Sequence, residues 1–476
     1  MHALSGEIRG LDRMTAVAAP PHRGWTRRNL AWVLFLLMLA IFTIGRLVGP
    51  RIPDDQQKQW CVLNVHITTL LGVSLNCDAA LYMSVAARPS ALLDPGNALQ
   101  SRPGLPIAAW VVALPLRPLA SLVPRLVHRP ERSDIDPGRV QGALQSFGPE
   151  YVAYVLLNFL MLCASFHLFR RIHQAHQPTD QPDAVAIVAA AIATLMVATY
   201  PVTNYLLSPQ AQLFNTLVPL LALFFAIRAN AGALMDVRFA AMVGVIVGFG
   251  QTAYALFLVI TMAVLALAGV HALRNWHRIP RLLLARNAAV LVAISVAPML
   301  LWYAFVRIAT HQFFYHELVD DESVVWLMAY LQKGGDIFLA ELSRRAGSQL
   351  NGLNSLAPMV TLAAALTAGF LIAAIIRFGY DKVAAPLGTR STVAVAVVVS
   401  AMFHGFYVGV GQFQVRLNYA ALPPIVAALG AVGTALAGRL PAVWRRAFAA
   451  ACAALAVVTV ALAIAEGERV PGHWFD

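Results

Sequence analysis

Long apolar runs and short basic or polar links alternate along most of the chain, from Asn29 onward. The apolar runs cover Asn29 to Gly49, Tyr151 to Phe169, Ala184 to Tyr200, Leu213 to Ile227, Phe239 to Val270, Asn287 to Val306, Ala357 to Ile376, Thr392 to Val410, Leu417 to Ala437 and Phe448 to Ala465. Several reach the roughly 20 residues that a helix needs to span a bilayer. The Phe239 to Val270 run carries Gly244, Gly248, Gly250 and Gln251 at its middle. It reads as two short helices meeting at a glycine break. The pattern predicts an all-α polytopic membrane protein with about eleven transmembrane helices. A transmembrane barrel is excluded, because its strands alternate in polarity and are about 10 residues long.

Two long segments interrupt the apolar pattern, residues 50–150 and 308–355. Within the first, Leu105 to Leu126 is apolar but broken by Pro106, Pro115, Pro118 and Pro124, with Arg117 at its centre. Such a stretch either spans or lies at the interface as a broken helix, and the distribution of basic residues favours the interface. With that choice every basic cluster falls on one side: Arg9 to Arg28, Arg170 and Arg171, Arg228 and Arg238, Arg274 to Arg286, and Arg439 to Arg446. Basic loops face the cytoplasm. The expected layout is a cytoplasmic tail over residues 1–28 and a transmembrane domain over 29–476, with 50–150 and 308–355 as extracytoplasmic loops. The basic start followed by an apolar run reads as a signal anchor, not a cleaved leader.

Composition sharpens this reading. Hydrophobic residues make up 59% of the 476 residues and charged ones only 12%, against about 25% charged in soluble domains. Mean hydropathy is +0.67. The net charge of +12 sits in loops flanking apolar runs, so no nucleic-acid partner is implied; the partner is the lipid bilayer. The high pI and the Ala- and Arg-rich composition point to a bacterial inner membrane. Cys163 and Cys452 lie inside apolar runs as packing residues. Cys61 and Cys77 share the first polar loop, where an oxidising compartment would favour a disulfide.

The candidate chemistry gathers between Cys77 and Gly104. This stretch offers Asp78, Tyr82 one helical turn on, and the pair Arg102-Pro103. If Asp78 begins a helix, its carboxylate lies beside the free amides of the first turn. It is then either a cap or a catalytic carboxylate at the membrane surface. Asp54 and Asp55 are rival acids, which also read as a solvated loop start after Pro53. Arg416, between two apolar runs, is a costly position for a cation unless it is paired, snorkels or binds an anion. His311, His316 and Asp320 to Glu322 show no metal-ligand spacing and read as loop charge. Gln251 and Tyr254 sit at membrane depth, as groove lining or as an interhelical hydrogen bond.

The layout resembles the GT-C superfamily of integral-membrane glycosyltransferases. The likeness rests on a first span followed by a long loop with Asp78-x-x-x-Tyr82-x-x-x-Ala86, then Arg102-Pro103 before an apolar stretch. A second helix closing on Phe169-Arg170-Arg171, a second long loop, and Arg416-Leu-Asn-Tyr419-x-x-x-Pro423-Pro424 near the end complete it. The outer turn from Tyr200 to Gln212 departs from the pattern, lacking the second acid that some members carry there. The resemblance implies inverting transfer of a sugar from a polyprenyl-phosphate donor to an extracytoplasmic glycan, lipid or protein acceptor. It assigns the general base to Asp78, with Asp54 and Asp55 as alternatives, and the donor phosphate to Arg416 and Arg102. Tyr82, Tyr419, Gln251 and His316 are candidates for the substrate cavity. No metal ligands are assigned and no particular cofactor is implied, a divalent metal being left open. The rival class is a secondary transporter or a flippase of lipid-linked sugars, which would be expected to carry ionisable residues inside its spans.

Overall fold

The computed structural model describes residues 25–48, 62–66, 72–118, 137–174, 205–312, 326–356, 358–380, 387–410 and 419–465. Helix α1 covers Trp25–Val48. The strands β1 (Val62–His66) and β2 (Gly72–Asn76) follow, and α2 (Cys77–Ala87) begins at the next residue. Two short 3-10 turns lead to α3 (Gly104–Ala113). Next come α4 (Pro137–Gln174), α5 (Phe214–Asn230), α6 (Val237–Ala253), α7 (Leu258–Arg274) and α8 (Arg281–Thr310). The remaining helices are α9 (Trp326–Gln332), α10 (Gly335–Leu356), α11 (Pro358–Phe378), α12 (Leu387–Val410), α13 (Leu422–Ala437) and α14 (Ala442–Ala465).

Among the described residues, seven helices are long and apolar enough to cross a membrane, and four apolar helices are shorter: Phe35–Val48, Gly104–Pro118, Phe214–Asn230 and Val237–Ala253. Large apolar side chains such as Leu160, Phe249, Leu301 and Ile376 lie exposed on their flanks, as lipid-facing residues do. The protein is a helical multi-pass membrane protein. The predicted Ala184 to Tyr200 span lies outside the described residues.

Two features differ from an all-α expectation with open loops. The first polar segment holds an antiparallel hairpin, pairing Val62 with Asn76 through to His66 with Gly72. Val73 and Leu75 point inward and are buried, so the hairpin has one apolar face. The second polar segment is helical over α9 and α10. There Trp326 stacks on Phe338 and Arg345 lies 4.3 Å over the Trp326 ring. The α3 helix has ten residues, about 15 Å at 1.5 Å per residue. With the 3-10 residues that follow, the described apolar helix reaches Pro118, still fewer than the roughly 20 residues of a full span.

The centre of the bundle is α5, packed against α7, α4, α12 and α13. Helices α6 and α8 pair closely because Gly248 has no side chain. A Cβ there would stand 2.6 Å from the Ile294 carbonyl oxygen and 2.9 Å from Pro298. Pro298 lacks the amide that would bond the Ile294 carbonyl, and Gly248 packs against this part of α8. The apolar run that holds the glycines divides at Tyr254, which is extended (φ −161°, ψ 120°) between α6 and the turn leading into α7.

Candidate functional site

The strand β2 turns directly into α2, which places Asp78 in the first helical turn. There its carboxylate meets the positive end of the helix and the unbonded amides. The side chain is exposed. Tyr82 lies one turn on, on the same helix face, with its ring buried. The Arg102 guanidinium sits 6.0 Å over that ring, within cation–π reach. Three of the residues singled out from the sequence are thereby connected along one face of α2.

A stripe on α4 holds this arrangement. Glu150, Tyr154 and Asn158 recur every fourth residue, all buried, and each grips a different element. Glu150 Oε1 accepts from Arg117 Nη2 at 3.1 Å, and Arg117 Nη2 also reaches the Ala87 carbonyl that ends α2. The Tyr154 hydroxyl donates to the Tyr82 carbonyl at 3.1 Å. Asn158 Nδ2 donates to the carbonyls of Tyr205, Leu206 and Ser208 at 3.0, 3.1 and 3.0 Å. Two N–H bonds serve three acceptors, so at least one is shared.

Those three carbonyls belong to the turn before α5, which runs from residue 205 to 213. The sequence suggests a plain polar turn here; in the structure its polar side chains fold inward. Ser208, Gln210 and Asn215 are each no more than 2% exposed. Gln210 Nε2 donates to Asp78 Oδ2 at 3.3 Å across 132 residues of sequence. Beneath it, Asn215 Nδ2 donates to Gln212 Oε1 at 3.1 Å. Asn215 Oδ1 accepts from the Tyr254 and Tyr407 hydroxyls at 3.1 and 2.9 Å. The turn is thus fixed to α4, to the break between α6 and α7, and to α12.

Four polar atoms around this turn are buried without a hydrogen-bond partner: Asn158 Oδ1, Ser208 Oγ, Gln210 Oε1 and Thr216 Oγ1. A buried acceptor left unmade costs about 1–3 kcal/mol, so atoms of this kind mark places for water or a ligand.

The other nominated residues have different surroundings. Gln251 Nε2 donates to the Ser295 carbonyl at 3.1 Å, which places it in the contact between α6 and α8. Tyr419 is fully buried in a short turn packed on α5 and α12. Asp54, Asp55, His316, Arg416 and Cys61 lie outside the described residues, as does the side chain of Cys77. Val62 and Asn76, the sequence neighbours of Cys61 and Cys77, face each other in the hairpin. No group of three or more His, Cys, Asp or Glu side chains able to hold a metal occurs among the described residues.

Gln210, Asn158 and the Arg117–Glu150 pair were not candidates from the sequence. A signal for the stripe was present, since Glu150, Tyr154 and Asn158 are spaced for one helix face in an otherwise apolar segment. No such signal marked Gln210, whose partner is remote in sequence. In comparisons with known protein families, with curated proteins and with solved structures, none matched this chain.

Proposed function

We propose that the protein is a membrane glycosyltransferase that moves a sugar from a polyprenyl-phosphate donor to a hydroxyl-bearing acceptor on the extracytoplasmic side. The observation that carries the reading is the exposed Asp78 carboxylate, held by the buried Gln210 amide beside a turn with unpartnered polar atoms. An acceptor oxygen attacks the anomeric carbon and forms the new glycosidic bond. The bond from that carbon to the phosphate oxygen breaks, and the lipid phosphate leaves with the electron pair. Asp78 takes the acceptor's proton. The configuration inverts, because attack and departure are on opposite faces of the sugar.

Arg102, over Tyr82, supplies a guanidinium whose forked donors suit phosphate oxygens. Arg416 retains the same assignment from the sequence resemblance. The extracytoplasmic assignment is supported by the charge along α4. Glu150, beside the site, lies within that helix, and Arg170 and Arg171 lie near its C-terminal end, where their charge favours the cytoplasm.

The test is Asp78→Asn, assayed in membranes with a radiolabelled polyprenyl-phosphate hexose or pentose and the endogenous acceptor. General-base catalysis is worth about 10²–10⁴-fold, and a loss of that size is expected. Full transfer by the variant would remove Asp78 from the mechanism. Failure of the wild type to transfer from either donor would favour a carrier of lipid-linked sugars.

A further inference from the structure

We infer that the turn from Ser208 to Gln210 is the acceptor-binding part of the site, with Gln210 presenting the acceptor hydroxyl to Asp78. This rests on the glycosyltransferase reading above and adds to it the residues that bind the acceptor. Gln210 is 2% exposed and its two ends are unequal. Its Nε2 is committed to Asp78 Oδ2. Its Oε1 is buried and has no partner. A carboxamide oxygen can only accept, so the missing partner is a donor, and an acceptor O–H fits it.

Ser208 Oγ, two residues away, is also buried and unpartnered. A hydroxyl both donates and accepts, so it suits a second hydroxyl of the same molecule. The backbone around both residues is immobilised by the three bonds from Asn158. The arrangement therefore favours a polyhydroxylated acceptor, a glycan or a glycosylated lipid. Gln210 does not change protonation in the step. The acceptor proton passes to Asp78, and Gln210 sets the direction from which it arrives.

The test compares Gln210→Met and Gln210→Glu with wild type in the same transfer assay, with folded protein quantified by size-exclusion chromatography. Methionine keeps the length of the side chain and removes both hydrogen-bonding ends. A small misplacement of a reacting group can cost about 10²-fold, so kcat should fall 10–100-fold while KM for the polyprenyl-phosphate sugar stays within about threefold. Gln210→Glu keeps the shape but sets a second carboxylate against Asp78, and its kcat should fall as well. It also covers a methionine variant that does not fold. In the Asp78→Asn background, Gln210→Met should cost little more, because residues acting as a unit are not additive.

Wild-type kcat per folded molecule in either Gln210 variant would overturn the inference, and so would equal changes in kcat and donor KM. If Asp78→Asn is inactive while Gln210→Met matches wild type, the glycosyltransferase reading stands and only this inference falls. If Asp78→Asn transfers normally, the reading beneath it falls too.

Discussion

Two buried polar regions of this protein are built on opposite terms. Between α6, α7 and α8 the polar groups complete one another. Gln251 bonds the Ser295 carbonyl, Thr261 and Ser295 share a bond at 3.0 Å, and Asn287 Nδ2 serves the carbonyls of Leu234 and Met235 at 2.9 Å. None of these four residues leaves a buried side-chain atom unpartnered. Around the turn from Tyr205 to Thr216, four residues do so, next to the exposed Asp78. Elsewhere Asn230, Ser400 and His404 leave single atoms on α5 and α12, with no exposed carboxylate bonded to them. A closed set of hydrogen bonds is packing. An open set beside an ionisable group is what the proposed site rests on.

The largest effect that would break this contrast is expected at Asn158. Asn158→Ala removes the donor to three buried carbonyls; the Tyr205 carbonyl keeps the Ser208 amide at 3.2 Å, while those of Leu206 and Ser208 lose their side-chain donor at about 1–3 kcal/mol each. We expect a loss of about 3 kcal/mol or more, measured by thermal unfolding in detergent, together with loss of transfer. A destabilisation below about 1 kcal/mol would mean that water replaces the asparagine freely and that the turn is not rigid.

A smaller effect is expected at Gln251. Gln251→Met removes one internal bond and should cost about 1 kcal/mol, with kcat per folded molecule unchanged. Gln210→Met should do the reverse, lowering kcat with little change in stability. Equal behaviour of the two variants would erase the distinction between packing and site.

The smallest effect lies outside both regions, at Glu341 on α10. A hydrogen bond from Arg344, aided by Arg345 and opposed by burial, holds its carboxyl down to about 2, below the ordinary 4.5. The folded value lies below the unfolded one, so this contribution to stability is complete above pH ~4.5 and fades as pH falls toward 2. Limited proteolysis across α10 should therefore accelerate between pH 4.5 and about 2, and Glu341→Gln should flatten that dependence. Transfer activity per folded molecule should not follow it at Glu341→Gln. If it does, α10 belongs to the site.

Much of the fold was legible because membrane spans announce themselves by length and apolarity. The runs at Asn287 to Val306 and Thr392 to Val410 fall within α8 and α12. The hairpin had a signal as well: Gly72-Val-Ser-Leu-Asn76 alternates with the period of a half-buried strand, but it was hidden within a segment read as loop. The site was legible only in part. Asp78, Tyr82 and Arg102 stand close in sequence, and local structure is enough to associate them. Gln210 and Asn158 act through contacts spanning 132 and about 50 residues, and a turn rich in polar residues reads the same whether it faces water or is folded inward. Gln251 shows the converse: of its two readings from the sequence, groove lining or an interhelical hydrogen bond, the bond to the Ser295 carbonyl of the neighbouring helix is the one present.

The most direct measurement is a cryo-EM structure of the protein in a lipid nanodisc with a non-transferable polyprenyl-phosphonate sugar and a hydroxylated acceptor analogue. The acceptor's hydroxyls should lie within hydrogen-bond distance of Gln210 Oε1 and Ser208 Oγ, one of them shared with Asp78, and the phosphonate beside Arg102. A sugar bound at the Arg170–Arg171 end of α4, or a turn from 205 to 213 filled only by lipid chains, would contradict it.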